Sequence, residues 1–547
     1  MSVSLRRAAT LLGLLSLLVA APSAAQDADW PFHGHDPGNQ RFSPLRQIHT
    51  GNVATLVPRR IFQTGTARQH GFVATPIVRD GVMYVTTPFS SILAWDLRTG
   101  RERWRHEHRL GRFTDCCGPT NRGAAMGHGL VFVGTLDARL LALDAASGAV
   151  RWEVEDSDPD SAYSITMAPQ VVGNLVIVGA SGAEFATRGR LTAYDARTGE
   201  RRWRWHAVPS PEEGGWWGHW AERSPWGDPL GRDIASERAD SARYADAWRV
   251  GGGAVWTTPA YDSVAGLLYL GTGNPTPEYD ATRRPGDNLY TASIIALEVS
   301  TGRLRWHHQY LPHDPGDYDA ANPPILADVE GRRVVVHASK TGHVMLLDAF
   351  SGAPVRRTGA LVPQERMMAA ATPEGVRRAP GAGGGADWHP SAYSPANGLM
   401  YVPLLHMAMT FTKIDEAPVA GRLYRRGTEN TLPGDSVWTD LTAVDLATAR
   451  TIWTVRHHGG DLRSGALATA GGLVFTAGER GWVQALDART GKVLWEYHCG
   501  ALVNAPPIAV GVDGEQYVIV VAGGSNYEGG WGSAVLVFGL PEAWRPR

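Results

Sequence analysis

The residues best placed to do chemistry stand in short, glycine-rich stretches. Cys116-Cys117-Gly118-Pro119-Thr120-Asn121-Arg122-Gly123 opens on two neighbouring cysteines. Adjacent Cα atoms lie about 3.8 Å apart, below the usual disulfide separation of about 4.4–6.8 Å. A bond between these neighbours would therefore be strained, and strain of that kind persists at functional sites. Thr166-Met167-Ala168-Pro169 and Gly179-Ala180-Ser181-Gly182-Ala183-Glu184 are small enough for backbone N–H groups to approach an anionic ligand closely. Gly251-Gly252-Gly253 precedes Trp256 and sets that indole apart from the packing tryptophans elsewhere in the chain. Pro312 to Asp319 gathers His313, Asp314, Asp317 and Asp319, and Ser339-Lys340-Thr341-Gly342 follows. Taken singly, a glycine-rich strand end is usually a turn, and a lysine in a strand-turn segment is usually solvated. Their succession along one chain is what asks for a common frame.

A repeat supplies that frame. The pattern Ala-x-Asp-x-x-Ser/Thr-Gly-x-x-x-Trp runs from Ala94 to Trp104 and from Ala142 to Trp152. It returns with Ala193 and Trp203, with Ala296 and Trp306 (Glu298 for Asp), with Ala443 and Trp453 (Ala449 for Gly), and with Ala485 and Trp495. A seventh, degenerate copy has Asp348 and Gly352, with Arg356 where Trp is expected. Each copy reads as a hairpin: an apolar β-rich run such as Leu130 to Val133, an Asp-capped turn with Gly at positive φ, then a Trp opening the next strand. Such units cannot bury a face alone and must stack, which predicts an all-β propeller, with eight blades preferred over seven. The C-terminal strand near Ala534 to Phe538 is expected to pair with an N-terminal strand and close the ring. Copies near Ala94, Ala142 and Ala193 are about fifty residues apart, whereas two later gaps are about double, from missed blades or inserted loops. The stretch about 210–250 reads as an insertion.

Composition sets the outer limits. Fifty-two Lys and Arg against 54 Asp and Glu leave a net charge of −2, with no basic run for nucleic acid. Arg6 and Arg7, the apolar run Leu11 to Ala21 and the small residues Ser23-Ala24-Ala25 read as an export signal over residues 1–25, ahead of a single domain over 26–547. Export predicts the periplasm, where Cys116 and Cys117 could be bonded, leaving Cys499 unpaired. No Cys-x-x-Cys-His occurs, so a covalently attached c-type haem of the usual kind is not expected.

These motifs, in this order, resemble the pyrroloquinoline quinone (PQQ)-dependent alcohol dehydrogenases across essentially the whole mature chain. The resemblance implies that a Cys116–Cys117 ring lies against one face of the quinone and that Trp256 stacks on the other. It implies that Arg122, Thr166 and the Ser181, Gly182 and Ala183 segment hold the quinone carboxylates, with Asp387 and Trp388 also at the cofactor. It assigns Glu184, Asn274 and Asp317 to a metal ion, and Asp317 to the base that takes the alcohol proton as hydride leaves for the quinone. Lys340 and the metal would polarise the quinone carbonyl. The implied partners are a small alcohol and a soluble c-type cytochrome or other periplasmic electron acceptor, with room for a homodimer.

Two departures from the resembled pattern stand out. Val73 occupies a place where many relatives carry a Glu that touches PQQ, and Asp387 stands where they carry Asn. An anion at Asp387 beside an anionic cofactor needs protonation or a partner. Asp319, two residues after Asp317, stands where calcium-type methanol dehydrogenases have a small residue and lanthanide-dependent relatives a carboxylate. Three protein carboxylates suit a trivalent ion better than a divalent one, so a lanthanide is expected ahead of Ca²⁺. The alternatives are a quinoprotein aldose or polyol dehydrogenase, whose wording Asp317-x-Asp319 and Lys340-Thr341-Gly342 also matches, and a non-catalytic propeller scaffold. The cysteine pair favours the alcohol enzymes, and a scaffold would have lost Glu184, Asn274, Asp317 and Lys340. Mass analysis of unreduced protein is expected to find Cys116 and Cys117 blocked and Cys499 free. Two free thiols in active protein would refute the ring.

Overall fold

In the computed structural model, the described residues are 28–65, 71–114, 117–419, 422–457, 464–477, 479–524 and 529–542. The expected export signal and Cys116 lie outside them. The recurring turn is built as the sequence predicts. Asp96 Oδ1 accepts the N–H groups of Arg98 and Thr99, both at 2.9 Å, and Gly100 N–H returns to the Asp96 carbonyl at 2.8 Å. Asp487 repeats this with Arg489, Thr490 and Gly491. Beside the turn the ladder slips by one residue, between Ala94 and Trp95 and at the matching place in six further sheets. Such bulges strengthen the twist of the outer strand.

Eight antiparallel sheets of four or five strands result, seven of them built around one copy of the repeat each. The first joins Ile77–Arg79, Val82–Thr86, Ile92–Asp96 and Glu102–His106. The last joins Ile508–Val512, Glu515–Ala522 and Ala534–Gly539 to the N-terminal strand Val57–Gln63, the expected closure. Both doubled spacings are inserted loops. Residues between Arg201–His206 and Ala260–Asp262 form only short helices, among them Ile234–Asp240. The second insertion makes a separate three-stranded sheet from Val376–Arg378, Met409–Lys413 and Gly427–Asn430.

One contact recurs between successive sheets. The indole N–H of each repeat Trp donates to a backbone carbonyl in the next sheet: Trp104 to Ala145, Trp152 to Ala196, Trp203 to Val299, Trp306 to Ala349, Trp453 to Ala488 and Trp495 to Leu56, all at 2.9–3.2 Å. In the first five of these the ring lies on the turn glycine of that sheet. A Cβ on Gly352 would come within 2.4 Å of the Trp306 ring, and its φ of +71° already excludes most side chains. Arg356, where the repeat loses its Trp, donates instead to the Leu446 carbonyl at 3.1 Å. Arg60 does the same across the closure, reaching the Arg98 carbonyl at 2.6 Å above Gly100.

The opening segment braces other sheets instead of forming one. Among the described residues, 28–43 build no sheet of their own. Phe42–Ser43 adds a parallel edge to Leu467–Thr469, and the preceding residues cross several inner strands. Asn39 donates to the Thr258 carbonyl, Gln40 accepts from Tyr393 N–H, and the buried Arg41 donates to the carbonyls of His33, Ala466 and Pro507. Replacing Trp306 by Ala removes a buried indole and its hydrogen bond and should cost about 3–5 kcal/mol. Arg356→Ala should cost only about 1 kcal/mol. Chemical denaturation of both variants measures the difference, and equal losses would contradict the docking account.

Candidate active site

Antiparallel pairing sends the start of each innermost strand and the end of the next strand to the same end of the sheet. The residues singled out in the sequence stand at those places. Arg122 precedes Ala125–Gly127, Thr166 precedes Gln170–Val172, and Ser181 follows Leu175–Gly179. Trp256 precedes Ala260–Asp262, Asn274 follows Leu267–Gly271, and Asp317 and Asp319 precede Ile325–Val329. Lys340 follows Arg332–Ala338, and Asp387 with Trp388 precedes Ala392–Ser394. One end of five consecutive sheets thus carries all of them.

Backbone contacts then bind neighbouring loops together. Arg122 N–H donates to the Thr166 carbonyl at 3.0 Å and its carbonyl accepts Thr75 N–H. Gly189 N–H donates to the Gly252 carbonyl at 2.7 Å, and Gly253 N–H to the Asn274 carbonyl at 2.9 Å, which ties the Glu184 loop to the Asn274 loop. The Asp317 loop is pinned by Asp314, whose carboxylate accepts the N–H groups of Gly316 at 2.8 Å and Tyr318 at 2.7 Å. Asp317 itself has φ +65°. Gly385 lets the Asp387 segment press onto Lys340: a Cβ there would stand 2.2 Å from the Lys340 carbonyl oxygen.

The side chains form two connected groups. In one, the Arg122 guanidinium donates to Thr166 Oγ1 at 2.9 Å, Thr166 meets Ser181 Oγ at 2.7 Å, and the guanidinium lies 4.6 Å from the Trp256 ring and 4.9 Å from the Trp388 ring. In the other, Lys340 Nζ is 3.2 Å from Asp317 Oδ1 and 3.8 Å from Asp319 Oδ2. Asp319 is buried, and each of its oxygens accepts a hydrogen bond: Oδ1 from Asn274 N–H at 2.6 Å and Oδ2 from the Trp256 indole N–H at 3.1 Å. That last bond joins the groups.

Burial raises Glu184, Asp317 and Asp319 above the usual carboxylate range, and their mutual repulsion adds to it, while Lys340 opposes the rise. Burial works against the Lys340 ammonium too, but Asp317, Asp319 and Asp387 outweigh it and hold it charged. Asp387 therefore has the cationic neighbour its place demands. Its own Oδ1 accepts Trp388 N–H at 2.8 Å. Val73 is buried.

A family model described as the PQQ glucose/ethanol/alcohol dehydrogenase β-propeller domain matches residues 30–372 and 358–518. The chain belongs to this family of PQQ-dependent alcohol dehydrogenases. It is 35% identical to the quinohemoprotein alcohol dehydrogenase of Comamonas testosteroni, over 95% of this chain and 74% of that protein. It is 31% identical to the lanthanide-dependent methanol dehydrogenase of Methylacidiphilum fumariolicum, over 97% of this chain and 90% of that one. A solved europium-containing methanol dehydrogenase superposes with a TM-score of 0.83 at 29% identity, covering 94% of this chain and 98% of that one.

The residues of this PQQ dehydrogenase fit such a cofactor. A guanidinium with two hydroxyls is carboxylate-binding chemistry, and a planar group already lies against two indoles. Among the described residues, no three His, Cys, Asp or Glu side chains form a ready-made metal site, and Lys340 takes the cation's part between Asp317 and Asp319. Sequence reasoning missed Glu278, which is buried with its carboxyl raised to about 8 by burial, despite Arg425 Nε at 3.1 Å. Four carboxylates, Glu184, Glu278, Asp317 and Asp319, thus face two cations, Lys340 and Arg425. It also missed Arg284, whose guanidinium holds the carbonyls of Pro277, Glu278 and Asp314. No motif marks these residues.

Raised carboxylates bind protons more readily in the folded chain than in the unfolded one, so their contribution to stability falls as pH rises above the unfolded value of about 4. A hard cation that replaces those protons should stabilise the apoprotein more at about pH 8 than at about pH 5.5, with proton release on binding. Melting curves with and without La³⁺ at both pH values, and calorimetry in two buffers, check this. An increment that shrinks with pH would contradict it.

Proposed function

We propose that this protein oxidises a small alcohol in the periplasm with PQQ and one hard metal ion, using Asp317 as the base, and passes the electrons to a c-type cytochrome. The observation that carries the reading is the chain of contacts from Trp256 through Asp319 to Lys340 and Asp317. In this reading Trp256 is the stacking surface, Asp319 part of an oxygen-rich cation site, and Asp317 the proton acceptor beside it. Arg122, Thr166 and Ser181 would hold the quinone carboxylates, Trp256 and a Cys116–Cys117 ring its two faces, and Glu184, Asn274, Asp317 and Asp319 the metal. Gly182, Ala183, Asp387 and Trp388 would complete the wall.

When bound, the quinone supplies the hydride acceptor and the metal a Lewis acid beside it. The protein's part is placement and proton removal. Asp317 takes the hydroxyl proton at its carboxylate. Lys340 donates to the Asp317 carbonyl at 3.0 Å as well as to its side chain, so one ammonium both fixes the loop and favours the ionised base. Asp314 and Arg284 hold the same loop from behind through its backbone.

Asp319 favours a lanthanide over calcium. It lies buried at the centre of the cluster rather than in solvent, and so adds a third carboxylate for a trivalent ion. The eight sheets are read as eight blades of one domain. The N-terminal Arg6-Arg7 pair and apolar run support export. Apoprotein loaded with PQQ and either Ca²⁺ or La³⁺ should be more active with La³⁺, and Asp319→Ala should abolish that preference. Asp317→Asn should keep the fold and lower kcat by about 10²–10⁴-fold. Equal or better activity of the wild type with Ca²⁺ would refute the lanthanide, and an active Asp317→Asn variant would remove Asp317 as base.

A further inference from the structure

A second polar cluster adjoins the base and takes no part in the mechanism above. Glu278 and Tyr279 follow Asn274 on its loop, and both are buried. The three-stranded sheet of the second insertion covers them. Tyr279 N–H donates to the Arg425 carbonyl at 3.0 Å, its ring meets Phe411 at 5.4 Å, and the neighbouring Tyr424 N–H donates to the Glu184 carbonyl at 2.6 Å. From the other side, Arg284 Nη2 donates to the carbonyls of both Glu278, at 3.1 Å, and Asp314, at 2.5 Å. The cluster is thereby wedged between the Glu184 loop and the Asp317 loop. Its charges are felt there: Glu278 and Arg425 both act on Asp317.

Three polar atoms of this cluster are shut off from solvent without a hydrogen-bond partner: Glu278 Oε2, Tyr279 Oη and Arg425 Nε. Arg425 Nε and Glu278 Oε2 face each other at 3.1 Å but lack hydrogen-bond alignment, and Arg425 Nη1 is taken by Glu429 at 2.7 Å. Leaving such buried atoms without an aligned hydrogen bond is costly. A group that both donates and accepts would satisfy a carboxylate, a guanidinium N–H and a phenol together. A hydroxyl does so. A carboxylate would meet Glu278, Glu429 and Asp317, and an alkyl chain would leave all three atoms without a hydrogen bond.

We propose that Glu278, Tyr279 and Arg425 bind a second hydroxyl of the substrate, so that the preferred alcohol is a short diol rather than a simple alkanol. The inference rests on the alcohol-oxidation reading above and narrows its substrate. These residues act on specificity. They touch the part of the substrate that does not react.

The test uses the full chain loaded with PQQ and metal, with 1,3-propanediol and 1-propanol, which differ by one hydroxyl. The ratio of kcat/KM, diol over alkanol, should be about ten or more, because a site built to hydrogen-bond a hydroxyl discriminates against the analogue lacking it. Tyr279→Phe and Glu278→Gln should each bring the ratio to within about two-fold of one, with the loss mainly in KM for the diol. Tyr279→Phe deletes an unpartnered hydroxyl and should melt no lower than the wild type, so it remains informative if Glu278→Gln fails to fold. A wild type that prefers 1-propanol, or a ratio that Tyr279→Phe leaves unchanged, overturns the proposal. If neither alcohol is turned over, the oxidation reading fails, and equilibrium binding of the two alcohols to the loaded protein decides this one. Tighter diol binding that Tyr279→Phe weakens upholds it, and equal binding overturns it.

Discussion

An indole laid on a glycine, its N–H on a carbonyl of the next sheet, is the interaction on which the rest of this molecule depends. It fixes the spacing and angle between successive sheets, because a Cβ at the turn glycine would collide with the ring. Each link also satisfies a buried backbone carbonyl. Where the indole is missing, a guanidinium makes the same reach, from Arg356 and from Arg60. Arg60 matters most for topology, since it joins the sheet completed by the N-terminal strand to the first one. Arg41 and its neighbours brace the inner strands by paths that no repeat encodes.

That frame has a direct chemical result. With the sheets held in register, loops far apart in sequence converge at one end, and each contributes one or two side chains. The convergence concentrates negative charge. Glu184, Glu278, Asp317 and Asp319 are desolvated together, with Lys340 and Arg425 against them. Desolvated carboxylates of this number ask for protons or a metal. The Trp256–Asp319 bond makes this oxygen cluster and the stacking surface one unit, so that a cofactor and a metal would be positioned by a shared set of contacts.

Much of this was legible in the sequence, and the reasons differ by level. The repeat announced the architecture because its Asp, Gly and Trp each answer a separate physical demand at a fixed spacing. The closure by Ala534–Gly539 followed from the need to cover an edge. The site candidates could be picked out because small residues beside Trp256, Glu184 and Asn274 are unusual for packing alone. The part played by Trp30 to Pro44 was not legible, since it lies in contacts with several other sheets. Glu278, Tyr279, Arg284 and Arg425 were invisible because their meaning lies in burial and in contacts between an insertion and a loop. A sequence offers no period or spacing for such contacts.

The central claim is that the geometry at this end of the sheets exists to hold one quinone cofactor together with one metal ion. The most direct measurement is dye-linked ethanol oxidation by metal-free, cofactor-free protein titrated with PQQ in the presence and absence of a hard cation, with NAD⁺ as the control. Activity should rise linearly to a break at one PQQ per chain, require the cation, and ignore NAD⁺. Oxidation without PQQ, or a titration with no break in the presence of the cation, would contradict the account.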